Sequence, residues 1–234
     1  MQYLKLKVFY NLKAKTLVCI LLACLFHGCG TTETDPEIAG EYEFNFRESE
    51  HGWEAFFTDY NVGWGDDMEL TSDYRSLPEP LNTEDNGHYL SAVNLSDDVK
   101  MLLRREVEGL EPNTAYQVNF TVGFATNVPS GCAGIGGAPG EAVNVIADAS
   151  EIMPEAFLDA ENENYFRLNV QHRGGPQEWY QNAILGDIAN SRECEAGYEY
   201  EIKEVNSEGN PDEVTTNEEG RVWLFFGTRS GFEG

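Results

Sequence analysis

Basic residues are scarce in this sequence of 234 residues, where 15 Lys and Arg face 41 Asp and Glu and the net charge at pH 7 is −26. The longest basic element is the pair Arg104-Arg105. A nucleic-acid partner is not expected, because binding a polyanion needs clustered cations to displace its counterions. Histidine is equally thin: His51, His88 and His172 are isolated, and no His-Glu-x-x-His or Cys-x-x-Cys supplies a zinc ligand set. There is no Gly-x-Ser-x-Gly elbow for an acyl-transfer nucleophile, no Gly-Lys-Ser/Thr of a phosphate-binding P-loop, and no EF-hand spacing. Long apolar runs are missing too. The longest, Leu17 to Phe26, falls well short of the roughly 20 residues a helix needs to cross a bilayer.

That run nevertheless follows Lys5, Lys7, Lys13 and Lys15 and ends in His-Gly-Cys-Gly, the layout of a secretory leader. The small residue before a cysteine resembles a bacterial lipobox, in which the cysteine is acylated and becomes the new N-terminus. Cys24 fits the lipobox better by residue type, in Leu21-Leu22-Ala23-Cys24. Cys29 is better placed, at the end of the apolar run and against a polar stretch. Parity favours Cys29, since cleavage there leaves Cys132 and Cys194 as an even pair in an oxidising compartment. The expectation is a signal segment over 1–28, a flexible tether over 29–40 and one domain over 41–234, lipid-anchored to a membrane of the bacterial cell envelope. Two buried free thiols are the alternative to a Cys132–Cys194 disulfide. Losing residues 1–28 removes four lysines and no acid, so 11 basic residues would face 41 acidic ones, a net charge of −30. Such acidity suits a solvated surface in a saline habitat.

From Glu41 onward the dominant period is two. Tyr116, Val118, Phe120, Val122 and Phe124 alternate with smaller or polar residues, which predicts a half-buried strand. Val99 to Val107 alternates similarly, with Leu102 out of phase. Further strands are predicted at Tyr42–Phe46, Trp53–Tyr60, His88–Val93, Ala142–Ile146, Tyr165–Val170, Tyr198–Val205 and Val222–Phe226, separated by turn formers such as NTEDNG and EPNT. Helical turns are expected only near Ser150–Ala160 and Asn182–Asn190. Many short strands with little helix predict an all-β sandwich.

The stretch GLEPNTAYQVNF, Gly109 to Phe120, resembles the Leu-x-Pro-x-Thr-x-Tyr corner of fibronectin type III modules and the matching strand of jelly-roll carbohydrate-binding modules with a galactose-binding-domain-like fold. More than 110 residues follow Tyr116, too many for the rest of a fibronectin module. With GWEAFFTDYNVGW, GIGGAPGEAVNV and GTRSGFEG it is similar to an uncharacterised group of secreted bacterial lipoproteins. The resemblance implies an extracytoplasmic jelly-roll β-sandwich. It also implies a last strand beside the first one, which the sequence ending at Gly234 lacks.

Chemistry-bearing residues are few. The glycine-rich loop Ser130–Val145 leads into EAVNVIAD, which alternates like a strand, so it is expected to turn the chain and to hold no nucleotide. Asn94, Asp97 and Asp98 place three oxygen-bearing side chains before a strand, a partial set for a structural Ca2+ ion, with a self-bonded turn as the alternative. Trp179 and Tyr180, in a glycine-rich setting, and Trp64, in VGWGDD, are candidate platforms for stacking on a sugar ring; core-capping rings are the alternative. Trp53 and Trp223 are expected in the core. With so many acids some pair will always mimic a glycosidase acid and base, so no catalytic residue is assigned. The expected function is a non-catalytic, glycan-recognising module. The alternative is a structural or adhesive lipoprotein that contacts other envelope proteins.

Overall fold

The computed structural model describes residues 3–10, 38–96, 98–162, 164–170, 183–207, 209 and 211–234, with side chains from residue 40 onward. The architecture is an antiparallel β-sandwich, as the alternating pattern predicts. Its strands are β1 Tyr3–Tyr10, β2 Ile38–Asn45, β3 Glu54–Thr58, β4 Thr71–Ser76, β5 Asn86–Ser91, β6 Lys100–Val107 and β7 Ala115–Thr126. The second half adds β8 Val143–Ser150, β9 Ala156–Leu158, β10 Phe166–Leu168, β11 Ile184–Asp187, β12 Glu201–Asn206, β13 Asp212–Thr215 and β14 Val222–Ser230. One sheet runs β12-β7-β1-β2, with β13 also on β7, and the other runs β11-β8-β14-β6-β3. Two hairpins, β4–β5 and β9–β10, stand apart.

β7 shows how the pattern makes the core. Its alternate residues Tyr116, Val118, Phe120, Val122 and Phe124 are all buried in the main cluster, opposite Leu103, Val145, Leu224 and Phe226 of the facing sheet. Fully burying one such side chain contributes about 1.5–3 kcal/mol, so this strand alone anchors a large share of the interior. The predicted corner forms as well. Asn113 turns the chain at φ 52°, and the Tyr116 hydroxyl accepts a hydrogen bond from the Glu111 backbone N–H at 2.9 Å.

Leu102 is out of phase because the β6 sheet is covered on both faces. Leu102, Ile146 and Phe225 point away from the main core into a second cluster with Val170 and Ala183. Alternation cannot register where both faces are apolar. One helical expectation is corrected, since Ser150–Ala160 contains strand β9; in Asn182–Asn190, Ala183 is helical while Ile184–Asp187 forms β11 at the edge of the β6 sheet, and Asn182 lies outside the described residues. Trp53 is core, edge-on to Phe226 at 4.9 Å. Trp223 is a correction, half-buried with the Arg104 guanidinium 6.0 Å from its ring, because neighbours Val222 and Leu224 take the inward positions of β14.

The place beside β2 is taken by residues of the expected leader. β1 lies antiparallel to both β2 and β7, with Leu6 opposite Tyr42 on one side and Phe120 on the other. Among the described residues β1 is the one strand partner of β2.

Candidate functional site

Cys24, Cys29, Asp97, Trp179 and Tyr180 lie outside the described residues. Trp64 closes a 3-10 turn, Val62–Trp64, whose Asn61 side chain accepts a hydrogen bond from the Gly63 N–H at 2.9 Å. Its ring is 40% exposed, an open face.

The Asn94–Asp98 loop is held by its own surroundings. Asn94 is buried. Its amide donates to the Ser230 and Phe232 carbonyls at 3.0 and 2.6 Å, and its side-chain oxygen accepts from the N–H of Ser96 at 3.1 Å. Asp98 is paired with Arg229 and lies 3.9 Å from Lys100. A Ca2+ ion at Asn94 and Asp98 would therefore have to draw Asp98 away from two cations. Lys100 is itself buried against Asp59 at 2.9 Å, and Asp59 adopts a left-handed φ of 61°. The Asp59 carbonyl accepts hydrogen bonds from the Ser96 and Tyr165 hydroxyls at 3.1 and 2.9 Å. Burial, and then the carboxylates of Asp98 and Asp59, push the Tyr165 phenol above its usual range. Pinning the final residues to the β6 sheet is the visible work of this network.

Cys132 and Cys194 form a disulfide across 62 residues. It ties the glycine-rich loop to the 3-10 turn Cys194–Ala196, and Ser130 adds a parallel bridge to Glu193. The loop turns the chain and runs straight into β8, with no helix to offer an amide-lined anion site. Its glycines serve close packing: a Cβ on Gly134 would sit 2.4 Å from the Phe232 ring, and one on Gly140 would sit 2.7 Å from Ala189.

No motif announces the cleft of about 480 Å³ that lies under hairpin β4–β5. Hairpin β4–β5 walls one side with Arg75, Ser76, His88 and Tyr89. Met101, Val143 and Thr228 rise from the β6 sheet, and Phe124 to Val128 with Ile188 and Tyr200 complete the lining. Arg75 lies over Tyr89, its guanidinium carbon 3.4 Å from the ring centroid. The Thr228 hydroxyl is buried without a hydrogen-bond partner. The Asn127 amide, half-buried, has no partner among the described residues. His88 is buried edge-on to Phe46 at 6.1 Å, and burial, opposed by Glu50 and Asp73, lowers its pKa below 6.5. A neutral imidazole leaves Arg75 as the formal charge of the wall near neutral pH. Among the described residues none that lines the cleft is Asp or Glu, in a chain where 41 residues are.

This arrangement can take up a ligand with an apolar ring face and hydroxyl groups: aromatic and aliphatic walls for contact, and unsatisfied polar atoms for direction. It offers no pair of carboxylates for glycosidic cleavage and no oxygen-rich cage for a metal. Among the described residues no group of three or more His, Cys, Asp or Glu is placed to hold a metal ion. Sequence reasoning missed the cleft because Thr71–Ser76 lacks apolar alternation, so only the NTEDNG turn pointed to a hairpin. No protein-family model, curated protein or solved structure matches this chain.

Proposed function

We propose that this chain is a lipid-anchored extracytoplasmic module that binds a glycan in the cleft under hairpin β4–β5 without cleaving it. The observation that carries the reading is the chemistry of the cleft wall. Tyr89 and Tyr200 supply ring surface, the Asn127 amide supplies hydrogen bonds, and among the described residues no carboxylate lines the cleft. Export and anchoring rest on the basic-then-apolar leader and on Cys29, with Cys24 as the other acylation position.

The test is a melt of the full chain against a polysaccharide panel. A ligand bound only by the native state raises Tm by mass action, and Tyr89→Ala or Tyr200→Ala is expected to remove that shift while leaving cooperative unfolding intact. Shifts that survive both substitutions would place the ligand elsewhere, with Trp64, Trp179 and Tyr180 the next residues to replace. One observation favours protein contact as the alternative: Ile152, Phe157 and Leu158, on and beside hairpin β9–β10, are 53%, 40% and 49% exposed. A chain that melts unchanged with every glycan yet captures an envelope protein through these residues would support it.

A further inference from the structure

The charge distribution around the cleft goes further than its shape. Resting on the glycan reading above, we infer that the cleft selects an acidic sugar residue, whose carboxylate or sulfate oxygens pair with the guanidinium of Arg75.

Among the residues whose side chains are described, Arg47, Lys100, Arg104, Arg167, Arg192, Lys203, Arg221 and Arg229 all lie within 4.0 Å of a carboxylate. Arg105 lacks one but donates to the His51 carbonyl and covers Phe44. Arg75 covers Tyr89 but, among the described residues, has neither a carboxylate nor a carbonyl partner. In a chain with a large excess of acids, a guanidinium with no carboxylate in reach is unusual, and this one stands in a wall free of Asp and Glu. Stacking on Tyr89 holds its plane, which leaves the N–H edges free to donate two parallel hydrogen bonds to an oxyanion. The stack also lowers the entropy lost when the ligand docks, because the guanidinium is already oriented.

The carboxylate-free wall supplies the other half of the argument. An Asp or Glu in the cleft would repel an acidic ligand at close range, where screening is weakest. Surface acids elsewhere act over distances that salt shortens to about 8 Å at physiological ionic strength, so their repulsion fades with salt faster than a hydrogen-bonded contact with Arg75 does. Asn127 then meets the hydroxyls of the same ring, and Tyr200 adds apolar contact. Carboxylate and sulfate share this chemistry and differ in geometry: a planar carboxylate matches the guanidinium fork, whereas a tetrahedral sulfate offers three oxygens.

The test is isothermal titration of the full chain with three probes of equal length: a neutral hexose oligomer, a uronic-acid oligomer and a sulfated hexose oligomer. At least one acidic oligomer is expected to bind more tightly than the neutral one, and the tighter of the two identifies the anion. Arg75→Gln, at an exposed hairpin position that leaves the core untouched, is expected to weaken the acidic ligand roughly tenfold or more, the scale of one charge-assisted hydrogen bond, and to leave the neutral one unchanged. Arg75→Lys is expected to fall between, since it keeps charge but loses the fork. Neutral and acidic oligomers bound equally, with R75Q altering neither, would overturn the acidic-sugar inference and leave the glycan reading standing. No binding of any oligomer by the folded chain would overturn both.

Discussion

Deleting residues 1–28, the change that signal cleavage would make, removes β1 from between β2 and β7. A central strand makes about two ladder hydrogen bonds per residue, each worth about 1 kcal/mol net, while fixing a residue's backbone costs about 1–2 kcal/mol. The hydrogen bonds therefore match or exceed the ordering cost, and the backbone of the eight residues of β1 contributes at most about 1 kcal/mol per residue. The interior formed by β7 and the facing sheet stays in place, and the consequences should be local. The assay is hydrogen exchange on the chain starting at Cys29 beside the full chain. Alternate amides of β7 between Tyr116 and Gly123, and those of β2, are expected to lose protection when β1 is gone. The amides of β7 that face β12, over Thr121–Thr126, are expected to keep theirs and serve as the internal control. Added peptide of sequence Tyr3–Tyr10 should restore the lost protection. Identical exchange in the two chains, or loss of cooperative melting in the shorter one, would refute this reasoning.

Three further outcomes are expected. Lys100→Met leaves the buried Asp59 carboxylate with Arg167 alone, 3.7 Å away, and should destabilise by up to about 3–5 kcal/mol, readable by urea denaturation; adding Asp59→Asn, which removes the charge and tolerates the left-handed φ of 61°, should recover part of that loss. Replacing Cys132 and Cys194 with serine frees a loop spanning 62 residues, which in the chain-entropy model costs about 4 kcal/mol and should lower Tm by about 8–16 °C in a domain of this size; a shift under 2 °C would count against that loop closure. His88 is held neutral by burial, so the unfolded chain binds the extra proton. Stability is fully present above pH 6.5, declines as pH falls below it, and levels off beneath the lowered native pKa, a slope that His88→Gln should flatten in the same denaturation series.

Where one face of a strand is wet, the residues announced it. β7, the Tyr116 corner and the Cys132–Cys194 pair all follow from alternation, turn chemistry and parity. Legibility failed where both faces are covered, since Leu102, Ile146 and Phe225 erase the period that Leu103, Val145 and Leu224 keep. It failed again at β4, whose TSDYRS has no apolar face because the hairpin shields a cleft. The candidate site was harder still. Arg75, Tyr89, Asn127, Tyr200 and Thr228 come from separate segments, and nothing in their spacing brings them together. The aromatic platform suggested at Trp64 is exposed as expected but stands apart from the cleft lining, and an unmatched arginine becomes visible only when the carboxylates near every other cation have been located.

The most direct measurement is an NMR titration of the full chain with the acidic oligomer that binds in calorimetry, following backbone amides. The account predicts shifts that saturate together at Gly87 to Leu90, at Asn127 and at Thr228, and that need roughly tenfold or more ligand to saturate in Arg75→Gln. Saturable shifts confined to the Trp64 turn or to hairpin β9–β10, with the cleft amides unmoved, would contradict it.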